Sequence, residues 1–482
     1  MEKKQKTSWD LWVEEAVSKL ESIKLFTPLR PMRVPTLKQQ QENQDDEEAP
    51  PKFDDDQYET FPGIQPWDRL SIQVSIPDAF YQRLLQGEEV YSKKELEDTE
   101  VSQQRFKNLI LFAGNDFLGL SRHPAVAKAT AKAALEHGTG PRGSPLICGY
   151  TDYHIALETS LAELKNKEAC LLCSSGFAAN MAVMVSIGAL AHVLCDWRRP
   201  RKEENIAVFS DALNHASIVD GLKLAERHGG VEFFVYKHSN TAHLDALLTN
   251  CKNKRKVVVT DSLFSMDGDV APMLELVKLR KKHGFLFVLD DAHGTFVWGK
   301  NGGGLAEEFN CENDVDICIG TLSKAAGSLG GFITCSKIWK QFFQSRGRTF
   351  IFSTIAPIPL TAASYASVVV ARKEAWRRIE IRKRIQEFQA LTGQPVTSQI
   401  LSVVVGSTEK TFKATRVLLE AGIFVVPIAP PAVAQNAARL RITLTAAHTT
   451  EDIKELVRIL SDFVDFQVPS SRDGSSNLHA RL

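Results

Sequence analysis

Three short apolar runs, each ending in a polar cluster, constrain this chain more than any other feature. Lys256-Val257-Val258-Val259 runs into Thr260, Asp261 and Ser262; residues 285–289 (Phe-Leu-Phe-Val-Leu) run into Asp290, Asp291, Ala292 and His293; residues 316–320 (Asp-Ile-Cys-Ile-Gly) run into Thr321, Leu322, Ser323 and Lys324. From Phe106 onward such runs alternate with helical stretches, the pattern of βα units and a mainly parallel sheet. In open α/β sheets ligands sit at the carboxyl ends of the strands, so three polar clusters at three strand ends outline one site.

The rest of the chain is arranged around that region. Residues 106–355 are expected to form a large α/β domain. Residues 356–468 read as a smaller α+β domain, with a long charged helix over 363–391 and strand-like stretches at 399–405, 424–426 and 439–444. Residues 469–482 form a polar tail. Residues 1–105 read as an arm rather than a core. Trp9, Trp12, Val13, Ala16, Val17 and Leu20 fall at helical spacing and predict an amphipathic helix docked on the body or on a partner subunit. Residues 38–59 hold nine acidic and two basic residues and read as a solvated linker. Asp10, Glu14 and Glu15 interrupt the first apolar stretch, which excludes a secretory leader of the usual kind.

Composition narrows the function. Lys plus Arg and Asp plus Glu are 58 each, so no net field draws the chain onto nucleic acid or an anionic membrane. Residues 177–195 approach the length of a membrane span, but Asn180, Ser186 and His192 and the many small residues suit a helix buried against a sheet. Cys170 and Cys173 make a CxxC without the second pair or the histidines that zinc requires, so no metal is expected.

One motif is a decoy. Gly138-Thr139-Gly140-Pro141-Arg142-Gly143 matches the dinucleotide GxGxxG, yet it follows an Ala-rich helical run and not a strand. A stronger signal is Ser174-Ser175-Gly176-Phe177-Ala178-Ala179-Asn180, a polar turn leading into the apolar helix. Free N–H groups at a helix start plus a serine hydroxyl seat a phosphate. Lys324, after a strand end and among small residues, suits an amine nucleophile. Asp290 ends the preceding strand, and a carboxylate about 4 Å from a pyridinium nitrogen is worth about 4 kcal/mol at an effective dielectric of about 20. His293 can hydrogen-bond a phenolate oxygen, and His215 offers a flat face to stack on a ring.

Together these residues resemble the α-oxoamine synthases, fold type I pyridoxal phosphate enzymes that join an amino acid to an acyl-CoA with loss of carbon dioxide. The resemblance spans residues 108–464. It rests on Asn115-Asp116-Phe117-Leu118-Gly119-Leu120, residues 175–180, His215-Ala216-Ser217, Phe264-Ser265-Met266-Asp267-Gly268-Asp269, Asp290-Asp291-Ala292-His293-Gly294, Lys324 and Arg439-Leu440-Arg441, in family order. It implies an aspartate aminotransferase-like large domain with a mainly parallel sheet, and pyridoxal 5'-phosphate as cofactor. Lys324 would be the Schiff-base lysine and the base at the α-carbon. Asp290 would pair with the pyridine nitrogen, and His293 and Ser265 would contact the ring oxygen. His215 would stack on the ring and act as the acid at the acyl carbonyl. Ser175, Gly176, Phe177 and Thr321 would form the phosphate cup, completed by Ser353 or Thr354 from the second subunit of a homodimer. Arg441, helped by Asn115, would hold the amino acid carboxylate. Ser144 stands where glycine-using members tend to carry Thr, which favours L-alanine. Residues 141–149 depart from the glycine-richer bacterial loop and leave the acyl-chain contacts open. Another synthase of the family, or a catalytically silent partner subunit, are the alternatives, and Lys324 speaks against the second. Ala480-Arg481-Leu482 resembles a peroxisomal address, with the cytosol as the alternative.

Overall fold

The computed structural model describes residues 6–26, 28–30, 32, 53–86 and 105–466. The chain divides into two compact units: Met1–Gln73 with Gly114–Ile381 and Thr445–Ala447, and Val74–Ala113 with Arg382–Leu444 and His448–Leu482.

The first unit is built on a seven-stranded sheet of β1 (Ala169–Cys173), β2 (Ile206–Asp211), β3 (Val231–Tyr236), β4 (Lys256–Asp261), β5 (Leu286–Asp290), β6 (Ile317–Thr321) and β7 (Gly331–Cys335). Their order is β1-β7-β6-β5-β4-β2-β3. All neighbours run parallel except β7, which is antiparallel to both β1 and β6. Side chains alternate between the two faces of a strand, and both faces are covered. Val257 and Val259 enter the core cluster on one face, and Val258, one residue between them, enters the cluster on the other.

Four helices carry the argument that follows: α1 (Ser8–Ser22), α2 (Gly176–Leu194), α3 (Ala216–His228) and α4 (Lys337–Arg346). By length and composition α2 could cross a membrane, but 67% of its apolar window is buried. It is apolar all round because α1, α3, α4 and the sheet surround it. The amphipathic spacing near the N-terminus is a helix, as expected. Thr7 and Asp10 cap it reciprocally. Trp9, Val13, Ala16, Val17 and Leu20 are buried in the same cluster as α2, and the Trp9 ring lies 5.1 Å from Trp12 and 6.3 Å from Trp339.

The divisions differ from the sequence expectation in three places. First, residues 1–105 are not simply an arm. Helix α1 belongs to the core of the first unit, where the Phe53 ring packs on Tyr153 and Tyr365, and the Tyr365 hydroxyl donates to Asp55. Residues 33–52, most of the acidic stretch, lie outside the described residues. Second, the boundary falls at Ile381 rather than 355, because helix Ile358–Lys373 is buried on nearly every turn against helices Pro124–His137 and Asp152–Leu164. Third, the single helix expected over 363–391 is two, Ile358–Lys373 and Trp376–Thr392. They part at Glu374, whose carboxylate is committed to buried partners: Phe61 N–H at 2.6 Å, Arg377 Nε at 2.6 Å and the His123 ring at 3.2 Å.

Arg377 is fully buried, and its Nη1 donates to Asp68 and to the Leu118 carbonyl, both at 2.7 Å. This explains the Asn115–Leu120 motif structurally. The guanidinium holds the turn at Gly119, where φ is +72°, a conformation that glycine adopts without steric cost. Removing the arginine leaves two buried carboxylates without their cation. Arg377→Ala is therefore expected to lower stability by about 3 to 5 kcal/mol, read as a lower denaturant midpoint.

The second unit is α+β, as expected. It holds one three-stranded sheet of Gln73–Pro77, Phe106–Leu111 and Ile423–Phe424, and another with Ala438–Thr443 between Ile400–Gly406 and Val426–Ile428. Helices Thr408–Glu420 and Thr450–Leu460 belong to the same unit.

Candidate active site

The carboxyl ends of β4, β5 and β6 converge on a cavity of about 220 Å³ in the first unit. Ser175, Gly176, Phe177, His215, Ser265, Asp290, His293, Thr321 and Lys324 all line it, so the structure brings together nine of the residues singled out from sequence.

One end of the cavity is the start of α2. The Ser175 hydroxyl accepts from Ala178 N–H at 3.0 Å and so begins the helix. Thr321 and Ser323 pair their hydroxyls at 2.7 Å beside it. A Cβ on Gly176 would stand 3.2 Å from Thr321 Cβ, so glycine keeps this end open. Hydroxyls and helix N–H groups form a cradle suited to a phosphate.

At the other end Asp290 closes β5, buried, with both oxygens engaged. Asn180 Nδ2 donates to Oδ2 at 2.6 Å, and Ala292 N–H donates to Oδ1 at 2.9 Å. Asn180 also donates to Ser217 at 2.9 Å. The next residue, Asp291, serves the fold: it accepts from buried Lys165 at 2.6 Å and from Ser262 at 2.6 Å. Lys324 Nζ lies 2.7 Å from His293 Nε2. His215 stands at the start of α3, its Nδ1 2.7 Å from the Ser217 hydroxyl, its ring exposed and 6.5 Å from Phe177. Its backbone N–H donates to Asp261 at 3.2 Å. Burial first, and the adjacent Asp290 second, push the Asp261 carboxyl well above the usual carboxylate range.

The loop that carries Ser265 is clamped from outside. His238 reaches Asp211 at 2.9 Å and Asp269 at 2.8 Å, and its ring stands edge-on to Phe264 at 4.4 Å. Asp211 and then Asp269 raise the imidazole to about 10, above its ordinary value of 6.5. A folded value above the unfolded one gives stability that is full below pH of about 6.5 and is lost as pH rises through about 10. His238→Gln is expected to lower the thermal midpoint at mildly acidic pH, and the gap from the native protein should close in strong alkali. A gap that stays constant with pH would show that the charge contributes nothing.

Other expected site residues lie elsewhere. Ser353 and Thr354 border a separate small crevice with Pro145, Leu172 and Ser174, and Thr354 is exposed. Ser144 donates to the Ile351 carbonyl at 3.4 Å and does not line the cavity. Asn115 sits in the irregular segment after strand Phe106–Leu111, half-buried, and does not line it either. Arg441 is carried by the second unit, on strand Ala438–Thr443 opposite Ser402 and Val426, and burial lowers its pKa. The sequence reading assigned no role to Asn180, Ser217 or Asp261. Asn180 lies in the turn-to-helix motif of residues 174–180 and Asp261 in a strand-end cluster, but their partners come from other strands and helices. Among the described residues no group of three His, Cys, Asp or Glu side chains could hold a metal ion.

Comparison with known proteins gives this geometry its context. The profile described as "Aminotransferase class I and II" matches residues 107–460. The chain belongs to that family. An 8-amino-7-oxononanoate synthase of Arabidopsis thaliana is 57% identical over 464 residues, covering 95% of this chain and 96% of that protein. A protein of the same name from Alkalilimnicola ehrlichii is 37% identical, covering 73% of this chain and 88% of its own. Among solved structures, a serine palmitoyltransferase from S. paucimobilis with a bound PLP–myriocin aldimine superposes with a TM-score of 0.66 at 26% identity, over 74% of this chain and 88% of that one. In the first unit a helix start, a lysine and a strand-end carboxylate lie on the same cavity. Those residues fit pyridoxal phosphate: a dipole and hydroxyls for the phosphate, a buried anion for the ring nitrogen and an amine for the aldehyde carbon.

Proposed function

We propose that the chain is an 8-amino-7-oxononanoate synthase, condensing L-alanine with pimeloyl-CoA to give 8-amino-7-oxononanoate, CoA and carbon dioxide, a step of biotin biosynthesis. The observation that carries the reading is one cavity in which Lys324 meets His293 across from the Asn180-bound Asp290. The Arabidopsis protein of that name, 57% identical over 95% of this chain, supports the reading.

The cofactor is pyridoxal 5'-phosphate, which when bound supplies an electron sink for negative charge at the amino acid α-carbon. Ser175, Gly176, Phe177 and Thr321 would hold its phosphate, His293 and Ser265 its ring oxygen, and Asp290 its protonated nitrogen. Lys324 would hold its aldehyde carbon and would take the α-proton of the amino acid. His215 acts as the acid at the thioester carbonyl. Arg441, with Asn115, holds the alanine carboxylate, and because that group leaves as carbon dioxide its work is orientation. Ser144 limits the amino acid side chain.

The functional unit is a homodimer in which Ser353 or Thr354 of each subunit completes the phosphate cup of the other. Their place outside the chain's own cavity supports this. Ala480-Arg481-Leu482, which lies outside the described residues, directs the protein to the peroxisome. A fluorescent fusion to the native C-terminal tail should be imported and one lacking these three residues should stay cytosolic; cytosolic location of both rejects the address.

The test of the reaction is CoA release by the cofactor-loaded protein with pimeloyl-CoA and alanine, glycine or serine. Alanine is expected to exceed the other two by about 10-fold or more, the scale on which one methyl or hydroxyl group is discriminated. Preference for serine or glycine moves the chain to a sister activity such as serine palmitoyltransferase, aminolevulinate synthase or 2-amino-3-oxobutyrate CoA ligase. No release with any amino acid makes it a silent subunit.

A further inference from the structure

We propose that Asp261 is a positioning residue: a neutral carboxylic acid that pins the backbone of His215 and leaves Asp290 as the single anion on its wall of the cavity. The proposal rests on reading that cavity as a pyridoxal phosphate site.

Asp261 ends β4 directly opposite Asp290 at the end of β5, and it is 4% exposed. The two carboxyls are treated differently. Asp290 receives a donor on each oxygen. Asp261 receives one backbone N–H, from His215, on Oδ2, and its buried Oδ1 has no hydrogen-bond partner among the described residues. Two adjacent carboxylates in a water-poor site do not both ionise cheaply, and the proton settles on the one less stabilised by donors.

The other charged or titratable groups around Asp261 reinforce this. Asp211, at the end of neighbouring β2, adds a second negative charge, and the Tyr236 hydroxyl on β3 is itself affected by Asp261. Lys324 opposes them, but its Nζ is hydrogen-bonded to His293. The raised Asp261 pKa agrees with this geometry.

The consequence falls on His215. Its ring is fixed at one end by the Ser217 hydroxyl, and its backbone is fixed by Asp261. Because the acid is neutral, it anchors the histidine backbone while adding no second charge to the wall that Asp290 occupies. A side chain that keeps a neutral oxygen acceptor should therefore replace it, and one that removes the acceptor should not.

Infrared difference spectra of the native protein against Asp261→Asn near neutral pH, without substrate, test the protonation directly. The native protein is expected to show a protonated-carboxyl C=O band that the variant lacks. Asp261→Ala is expected to lose about 10-fold in kcat/KM for the thioester, the scale of one hydrogen bond, and Asp261→Asn to recover it to within about 3-fold. The Asn variant should also keep the native pyridoxal phosphate Kd and the native pH profile of cofactor binding. Absence of the carboxyl band, or an Asn variant whose cofactor Kd or pH profile departs as far as that of Asp261→Ala, overturns the proposal. If Asp261→Ala does not fold, the band and the Asn variant still decide. The band is read without catalysis, so its outcome is separate from whether pimeloyl-CoA is the substrate.

Discussion

Lys324→Ala is expected to abolish CoA release, by about 10⁴-fold or more, and to remove the visible absorption of the lysine-bound cofactor. Two proposed roles would be lost with one side chain: the amine that would anchor the cofactor and the base that would take the α-proton. The fold should survive. Lys324 is half-buried, and its neighbours Thr321, at the end of β6, and Ser323 are tied to each other independently of it. The phosphate cradle and Asp290 are untouched, so the variant should still bind pyridoxal phosphate, more weakly and without the covalent spectrum. A variant that keeps a tenth of the native rate would reject both roles.

Asp290→Asn should cost about 10³-fold in kcat, corresponding to the roughly 4 kcal/mol of a carboxylate–pyridinium pair at an effective dielectric of about 20. A local structural cost comes with it. Asn180 Nδ2 and Ala292 N–H each donate to a different oxygen of Asp290. The introduced amide has one oxygen, so in either orientation its NH₂ faces a donor, a buried mismatch worth about 1 to 3 kcal/mol. The measurement is kcat for alanine together with the unfolding midpoint. Asp290→Glu separates the two effects, because it keeps the charge while displacing it. If the Asn variant turns over within about 10-fold of the native protein, the ring nitrogen does not depend on this carboxylate.

Much of the site was legible in the sequence because a strand end is local information. The residues after Val259, Leu289 and Gly320 are polar for reasons that an apolar run makes visible, and all three segments are strands of one sheet. The start of α2 was legible for the same reason, since a serine followed by glycine and an apolar run is a helix cap within a few residues. What escaped was non-local. Nothing near Asn180 announces that its amide holds an aspartate 110 positions away, and nothing near Asp261 announces that it holds the backbone of His215. The domain boundary escaped as well. Helix Ile358–Lys373 looks like the start of something new after a loop, and only its burial against helices Pro124–His137 and Asp152–Leu164 assigns it to the first unit.

Local sequence was enough to show which reactive groups stand at element edges: a lysine, an aspartate, two histidines and a helix-start turn suited to a phosphate, each beside an element whose type follows from periodicity and capping. The tertiary structure decided which carboxylate receives two donors and which receives one, where Ser144, Ser353 and Thr354 stand, and that the N-terminal helix is core. The physical reason is the range of the interactions. Strand and helix signals act over a few residues, whereas burial, charge pairing and hydrogen-bond satisfaction are settled between groups that the fold brings together from distant parts of the chain.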